Sequence, residues 1–210
     1  MPRLVNHDEY RQIITSAVWK VMYEDGVEAA SVRRIADELN ISVGKLRHYF
    51  ITQQGLLGFA LDAITERVSA RIKQHRLSAR SGDAAAIEIL GELLPLDHER
   101  SVEVSIWLSF LSKARHDKSL DELKHRAWKG ERYVCRMAIV ATAGWSYEGR
   151  NFNEPFHNAE VEKLADELHL FIAGLTIQSG TYPDKFTPQV INIYLRDHTV
   201  RLNKELGDYA

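Results

Sequence analysis

SVRRIADELNISVGKLRHYF (residues 31–50) contains two short runs of helical spacing separated by a break. In the first run Ile35, Ala36 and Leu39 share one face, and Ser31 stands where an N-cap is needed. Asn40 tolerates the left-handed conformation of a tight turn, and Ser42 is placed to cap a second run over residues 43–50. Ile35, Leu39, Ile41 and Leu46 can then form one small core, while Ala36 lets the two helices approach closely. The outward positions of the second run are Gly44, Lys45, Arg47 and His48, with Tyr49 at the margin. Unpaired charge is costly to bury, so this face is expected to meet a polar partner. Two short helices across a tight turn are a helix-turn-helix candidate.

Outward from this stretch, apolar residues recur at i, i+3 and i+4 almost throughout, and no segment alternates as a strand does. The spacing predicts a first helix over residues 7–25 that buries Tyr10, Ile13, Ile14, Ala17, Val18, Val21 and Met22, with Gly26 ending it. A fourth helix starts near Gln54 and carries Leu57, Leu61, Ile64, Val68 and Ile72. SARSGDA (residues 78–84) lacks a large apolar residue and reads as a boundary. Further helices are expected over residues 85–94, 98–116, 119–143, 158–179 and 188–206. The fold class is all-α: a three-helix domain over residues 1–54, a connecting helix over 54–76, and a helical domain over 77–210.

The chain has 210 residues, 45% hydrophobic and 27% charged, which is a globular composition. With the single Cys135, no signal-peptide pattern and no apolar run long enough to span a bilayer, a cytoplasmic, reduced protein with no membrane partner is expected. The formal charge of -2 hides an asymmetry. Residues 1–80 hold 12 lysines and arginines against 9 aspartates and glutamates, and the remainder holds 15 against 20. Phosphate affinity must therefore come from local clustering near the N-terminus. A short helix with a polar outer face suits the major groove, Gly44 exposes backbone near its start, and Lys45, Arg47, His48 and Tyr49 have polar tips that reach bases or phosphates.

The segment ASVRRIADELNISVGKLRHYFITQQGLLGFAL, with its IA pair, tight turn, terminal YF and following LL, resembles the DNA-binding domain of the TetR family of bacterial transcription repressors. The resemblance covers about residues 8–60 and implies that residues 43–50 enter the major groove of operator DNA. It also implies that the fourth helix links them to a ligand-binding domain. Two departures stand out. Arg47 replaces a tyrosine common in the family, and Gln53 replaces a lysine commonly used for a phosphate, leaving a neutral donor. The expected DNA contacts are Gly44, Lys45, Arg47, His48, Tyr49 and Gln53, with Ser31 and Arg33 or Arg34 flanking them.

The stretches LLPLDHERSVEVSIWLSFLSKARHDKSL and FIAGLTIQ resemble the C-terminal domains of a TetR branch that includes choline-responsive repressors. This implies a helical pocket for a small-molecule effector and a final helix pair that builds a homodimer. Trp107, Phe110 and Leu111, then Tyr133 and Met137, then Phe171 and Leu175 are the candidate pocket residues. An aromatic cage for a quaternary ammonium is one use of such residues, and plain core is the other. Leu168, Phe171, Ile172, Leu175 and Ile177, with Val190, Ile193, Tyr194 and Leu202, form the expected dimer surface.

The competing enzymatic reading is a helical di-metal carboxylate site, because Glu-x-x-His occurs at Glu122/His125 and at Glu154/His157. The first pair sits among Asp121, Lys124 and Arg126 as a solvated face would, and Pro155 follows the second glutamate. Neither is a rigid ligand set. No HExxH, GxSxG, phosphate-loop or paired-cysteine pattern occurs, so no catalytic residue, metal or cofactor is expected. The expectation is a ligand-responsive regulator, as a repressor released from a palindromic operator or, alternatively, as an activator of the same fold.

Overall fold

The computed structural model describes residues 7–26, 29–47 and 53–209, and among these the secondary structure is helical. In chain order the helices are α1 (His7–Glu24), α2 (Val32–Glu38), α3 (Val43–Leu46), α4 (Gln53–Ser78), α5 (Asp83–Gly91), α6 (His98–Ala114), α7 (Asp121–Thr142), α8 (Ala159–Thr181) and α9 (Pro188–Leu206). Single 3-10 turns at Lys118–Leu120 and Gly207–Tyr209 precede α7 and follow α9. Packing divides the chain into two compact units. One runs to Glu66 and takes in Ser105–Lys118; the other comprises Arg67–Val104 and the chain from Ser119 onward.

In the first unit α1 packs on α2, and α2 on α3. The buried residues are Ile14, Val18, Val21 and Met22 of α1, Ile35 and Ala36 of α2, Leu46 of α3, and Leu56, Leu57 and Ala60 of α4. Ile13 departs from expectation, being 52% exposed, while Trp19 is buried. The indole N–H of Trp19 donates to the Ala60 carbonyl at 3.3 Å, so burying this ring costs no lost hydrogen bond. The inner face of α1 is therefore centred on Ile14 and Val18. Helix capping follows local chemistry. Ser31 Oγ accepts from the Arg34 N–H at 3.1 Å, and α1 runs out at Gly26, whose φ of +86° suits glycine.

In the second unit α5 packs against α7 and α9, and α8 closes on α7 and α9. Their shared core includes Ala86, Ile89 and Leu90 of α5, Val134 to Ala141 of α7, Ala165, Leu168 and Ile172 of α8, and Ile191, Leu195 and Leu202 of α9. α7 ends at a glycine stop: the Trp145 N–H bonds to the Val140 carbonyl at 3.0 Å and the Gly144 N–H to Ala141 at 3.1 Å. Gly144 sits at φ +68° between them, completing a left-handed helix stop. Asn158 caps α8 by accepting from the Glu160 and Val161 N–H groups, and Thr187 caps α9 ahead of Pro188.

Two clusters of buried charge brace this unit. On α7 and α8, Arg132 and Arg136 both engage Glu162; Arg136 Nη2 lies 2.7 Å from Glu162 Oε1, and the Phe156 N–H donates to Oε2 at 2.9 Å. Arg132 Nη1 also lies 2.6 Å from Asp166 Oδ1. At the other cluster Arg71 of α4 donates to Glu92 at 2.5 Å and to both carboxylate oxygens of Glu103 at 2.7 and 3.2 Å. His75 Nε2 lies 3.0 Å from the second oxygen of Glu92.

Candidate nucleic-acid interface and helical second unit

The turn between α2 and α3 is built by one residue in the left-handed region, Asn40 at φ +51°. Its N–H reaches back to the Asp37 carbonyl at 3.1 Å and the Ile41 N–H to Ala36 at 3.0 Å, the paired bonds of a helix stop that fixes the direction of the next helix. Ser42 then enters α3 in extended conformation. Contrary to expectation its hydroxyl makes no capping bond, and the first turn of α3 is closed instead by the Lys45 N–H on the Ser42 carbonyl at 3.0 Å. Leu46 is fully buried and anchors α3 from below.

With Leu46 inward, Gly44, Lys45 and Arg47 are exposed. A Cβ on Gly44 would meet nothing within 4 Å, so internal packing does not demand a glycine there. The Lys45 ammonium lies 4.8 Å from the centre of the Tyr10 ring, a cation–π distance. On α2 the two arginines separate in role. Arg33 is exposed, whereas Arg34 donates to Asp25 at 2.8 Å and Glu38 at 2.9 Å. Lys20 completes the set on Glu38 at 2.6 Å. Hydrogen bonds from Lys20 and Arg34 hold the Glu38 carboxyl below the ordinary carboxylate range. Arg34 thus ties α2 to the end of α1. His48 and Tyr49 lie outside the described residues; Gln53 opens α4, and its side chain is also outside them.

The expected pocket residues fall in both units. Trp107, Phe110 and Leu111 belong to the first, where Phe110 is fully buried and stacks on Trp107 with centroids 5.2 Å apart. Tyr133, Met137, Phe171 and Leu175 belong to the second, where Met137 and Leu175 are core. Tyr133 and Phe171 are partly buried against that core and have polar neighbours. The Tyr133 hydroxyl accepts from Arg76 at 3.2 Å, and Phe171 stacks on the His198 ring at 4.0 Å.

The expected dimer surface is redistributed as well. Leu168, Ile172, Leu175 and Leu202 are buried within the protomer, while Ile177, Ile193 and Tyr194 are exposed. Leu170, at 73% exposure, and Val200 join them. Sequence reasoning passed over both, although Leu170 precedes Gly174 and Ile177 along one helical stripe. Glu122, His125, Glu154 and His157 are all exposed. Among the described residues no group of three or more His, Cys, Asp or Glu side chains is arranged to hold a metal ion, and no helix is long and apolar enough to cross a membrane.

A short helix set by a rigid turn, buried on one side and cationic on the other, in a chain that also carries a second helical unit, defines a helix-turn-helix protein of the regulator type. Residues 14–60 match the family of bacterial regulatory proteins of the tetR type. Residues 84–203 match the C-terminal domain of BetI-type transcriptional repressors. Over 216 aligned residues the chain is 31% identical to the HTH-type transcriptional regulator BetI of Vibrio campbellii, covering 100% of this chain and 98% of that protein. It is 38% identical over 125 residues to the HTH-type regulator PksA of Bacillus subtilis, a match spanning 60% of this chain and 61% of PksA. A crystallised regulator from Saccharomonospora viridis, in complex with choline, has the same fold, with a TM-score of 0.74 and 20% identity over 91% of this chain and 95% of that one. The chain belongs to the TetR family of transcriptional regulators, with a C-terminal domain of the BetI type.

Proposed function

We propose that this protein is a homodimeric repressor that binds a palindromic operator and is released by a small-molecule effector. In this reading residues 1–54 recognise DNA, α4 connects, and residues 77–210 sense and dimerise. The observation that carries it is α3 itself: Leu46 fixes its inner side, the Asn40 turn fixes its direction, and Gly44, Lys45 and Arg47 are left outward with no internal role that demands all three. Arg33 and the N–H groups at the start of α2 serve flanking phosphates, and Ser31 orients that start. His48, Tyr49 and Gln53 complete the proposed contact set. Arg34, held by Asp25 and Glu38, positions α2 and contacts DNA only by leaving those carboxylates.

The dimer rests on the apolar residues that the protomer leaves uncovered on α8 and α9: Leu170, Ile177, Ile193, Tyr194 and Val200. Gly174 lies between Leu170 and Ile177, and a Cβ there would meet nothing in the protomer. A mid-helix glycine costs about 1 kcal/mol relative to alanine, and a close approach by a second copy of α8 accounts for retaining it. A two-fold dimer presents two copies of α3 to successive half-sites. For the effector, Tyr133 and Phe171 are the candidates of the second unit that keep surface outside its core, while Met137 shapes that core from within. The choline in the Saccharomonospora viridis regulator makes quaternary ammonium compounds the first class to assay.

Selection from a random DNA pool yields the operator. Lys45→Ala and Arg47→Ala are then expected to weaken binding, each reducing the salt slope by about 1 where a phosphate contact is lost. Unchanged affinity and slope in both variants remove the assigned face. Leu170→Glu is expected to give monomers by sedimentation and to abolish tight operator binding.

A further inference from the structure

α4 is a single 26-residue helix whose first part belongs to one unit and whose second part, from Arg67, belongs to the other. In that second part the apolar anchors are few: Ile72 is buried, Val68 is partly buried, and Leu77 is 74% exposed. Ile64, Val68 and Ile72 repeat every fourth residue. A ridge of that kind is degenerate, since sliding the helix by four residues, ~6 Å, puts each residue close to where its neighbour was. Apolar packing alone therefore sets the register of α4 weakly.

The charged side chains remove the degeneracy. The Arg71 guanidinium forks between two carboxylates, Glu92 just beyond α5 and Glu103 on α6, which are 9% and 4% exposed. His75, one turn further along α4, meets the other oxygen of Glu92. Glu92 is itself held in place, because Arg100 reaches back to the Gly91 carbonyl at 3.1 Å while bonding Asp97. A slide of one register step withdraws Arg71 from both partners: in one direction His75 replaces it, a ring that cannot fork to two carboxylates, and in the other Arg67 replaces it only by leaving Glu99. Apolar residues of the same size would stabilise such a site at least as well as buried ion pairs, so stability does not explain the charges. Registry does, and it is the best-attested use of buried charge.

We infer that Arg71, Glu92 and Glu103 form a register key that fixes the direction in which α4 leaves the second unit, and that Arg71 is thereby a determinant of the half-site spacing the dimer accepts. This rests on the proposed dimeric operator-binding function. Arg71 touches no DNA in this account; it is a positioning residue.

The test is selection of palindromes with variable spacers by the full-length protein, run with wild type, with Arg71→Lys, and with the combined variant Arg71→Met, Glu92→Met, Glu103→Leu. Circular dichroism verifies folding. Wild type is expected to enrich one spacing. The combined variant is expected to stay folded and to lose about tenfold in discrimination against neighbouring spacings, the scale of a typical coupling between sites. Lysine keeps the charge but cannot fork, so Arg71→Lys is expected to broaden the profile less. If the combined variant does not fold, Arg71→Lys decides alone. A spacing profile unchanged from wild type in the folded variants overturns the register key and leaves the repressor reading intact. A wild type that enriches no palindrome removes the repressor reading, and this inference with it.

Discussion

The two buried charge clusters of the second unit use the same residue types and reach opposite electrostatic outcomes. Glu162 is opposed by burial. Hydrogen bonds from Arg136 and the Phe156 N–H, with the charges of Arg136 and Arg132, outweigh that burial and hold its carboxyl below the ordinary range. Glu103 shares one arginine with Glu92, and there burial prevails: its carboxyl is pushed above the ordinary range despite the hydrogen bond and charge of Arg71, with the neighbouring charge of Glu99 adding to the rise. Glu103 is more deeply buried than Glu162, has fewer donors and faces the charge of Glu99, and these differences together account for the opposite sign. The α7–α8 cluster favours the charged form of Glu162, although the buried Arg132 Nε has no hydrogen-bond partner among the described residues, and the α4 cluster disfavours the charged form of Glu103.

The largest expected effect breaks the α7–α8 cluster. Glu162→Gln leaves Arg132 and Arg136, both buried, facing a neutral group, and should lose about 3–5 kcal/mol in denaturant unfolding. Glu103→Gln should cost less, about 1 kcal/mol at neutral pH, because the amide oxygen can still accept one of the two Arg71 bonds, Glu92 keeps the arginine paired and the buried charge of Glu103 is gone. Equal losses in the two variants would erase the contrast.

Acid titration of stability sharpens it. Glu162, with a lowered folded pKa, contributes stability that is present above its ordinary value of 4.5 and lost as pH falls through the folded value. Glu103, with a raised folded pKa, contributes stability that is full below 4.5 and lost as pH rises through the folded value. Melting temperatures from about pH 3 to 7 should therefore show Glu162→Gln flattening the acid limb below 4.5, and Glu103→Gln altering the profile only above it.

The smallest effect is the same contrast at the scale of one hydroxyl. Ser31 caps α2 and Ser42 makes no capping bond at α3. Ser31→Ala should cost about 1 kcal/mol and Ser42→Ala close to nothing.

What could be read in the sequence was what depends on near neighbours. Asn40 at the turn, Ser31 as a cap, Gly26 and Gly144 as helix stops and the positions of the long helices all follow from local backbone chemistry. The outward face of α3 followed because burying Leu46 determines which residues remain outside. Ser42 failed because a serine at an N-cap does not guarantee its rotamer. Ile13 failed because the apolar residues of α1 are wide enough to permit two inner faces, and the distant Ala60 carbonyl that receives Trp19 decides between them. The arginine partners of Glu162 and the carboxylate partners of Arg71 lie 21 to 32 residues away, and no spacing rule announces them. The division of α8 into buried and exposed apolar residues was hidden for the same reason, since Leu168 and Leu170 look alike until the protomer buries one of them.

Lys45 has a consequence for binding thermodynamics. Its ammonium rests over the Tyr10 ring. A free lysine loses up to ~2 kcal/mol of side-chain entropy when it is immobilised on a phosphate. Part of that ordering has already occurred here, during folding, so in the proposed DNA-binding role the cation of α3 is partly preorganised. Tyr10→Ala should therefore weaken operator binding through Lys45 without removing any charge.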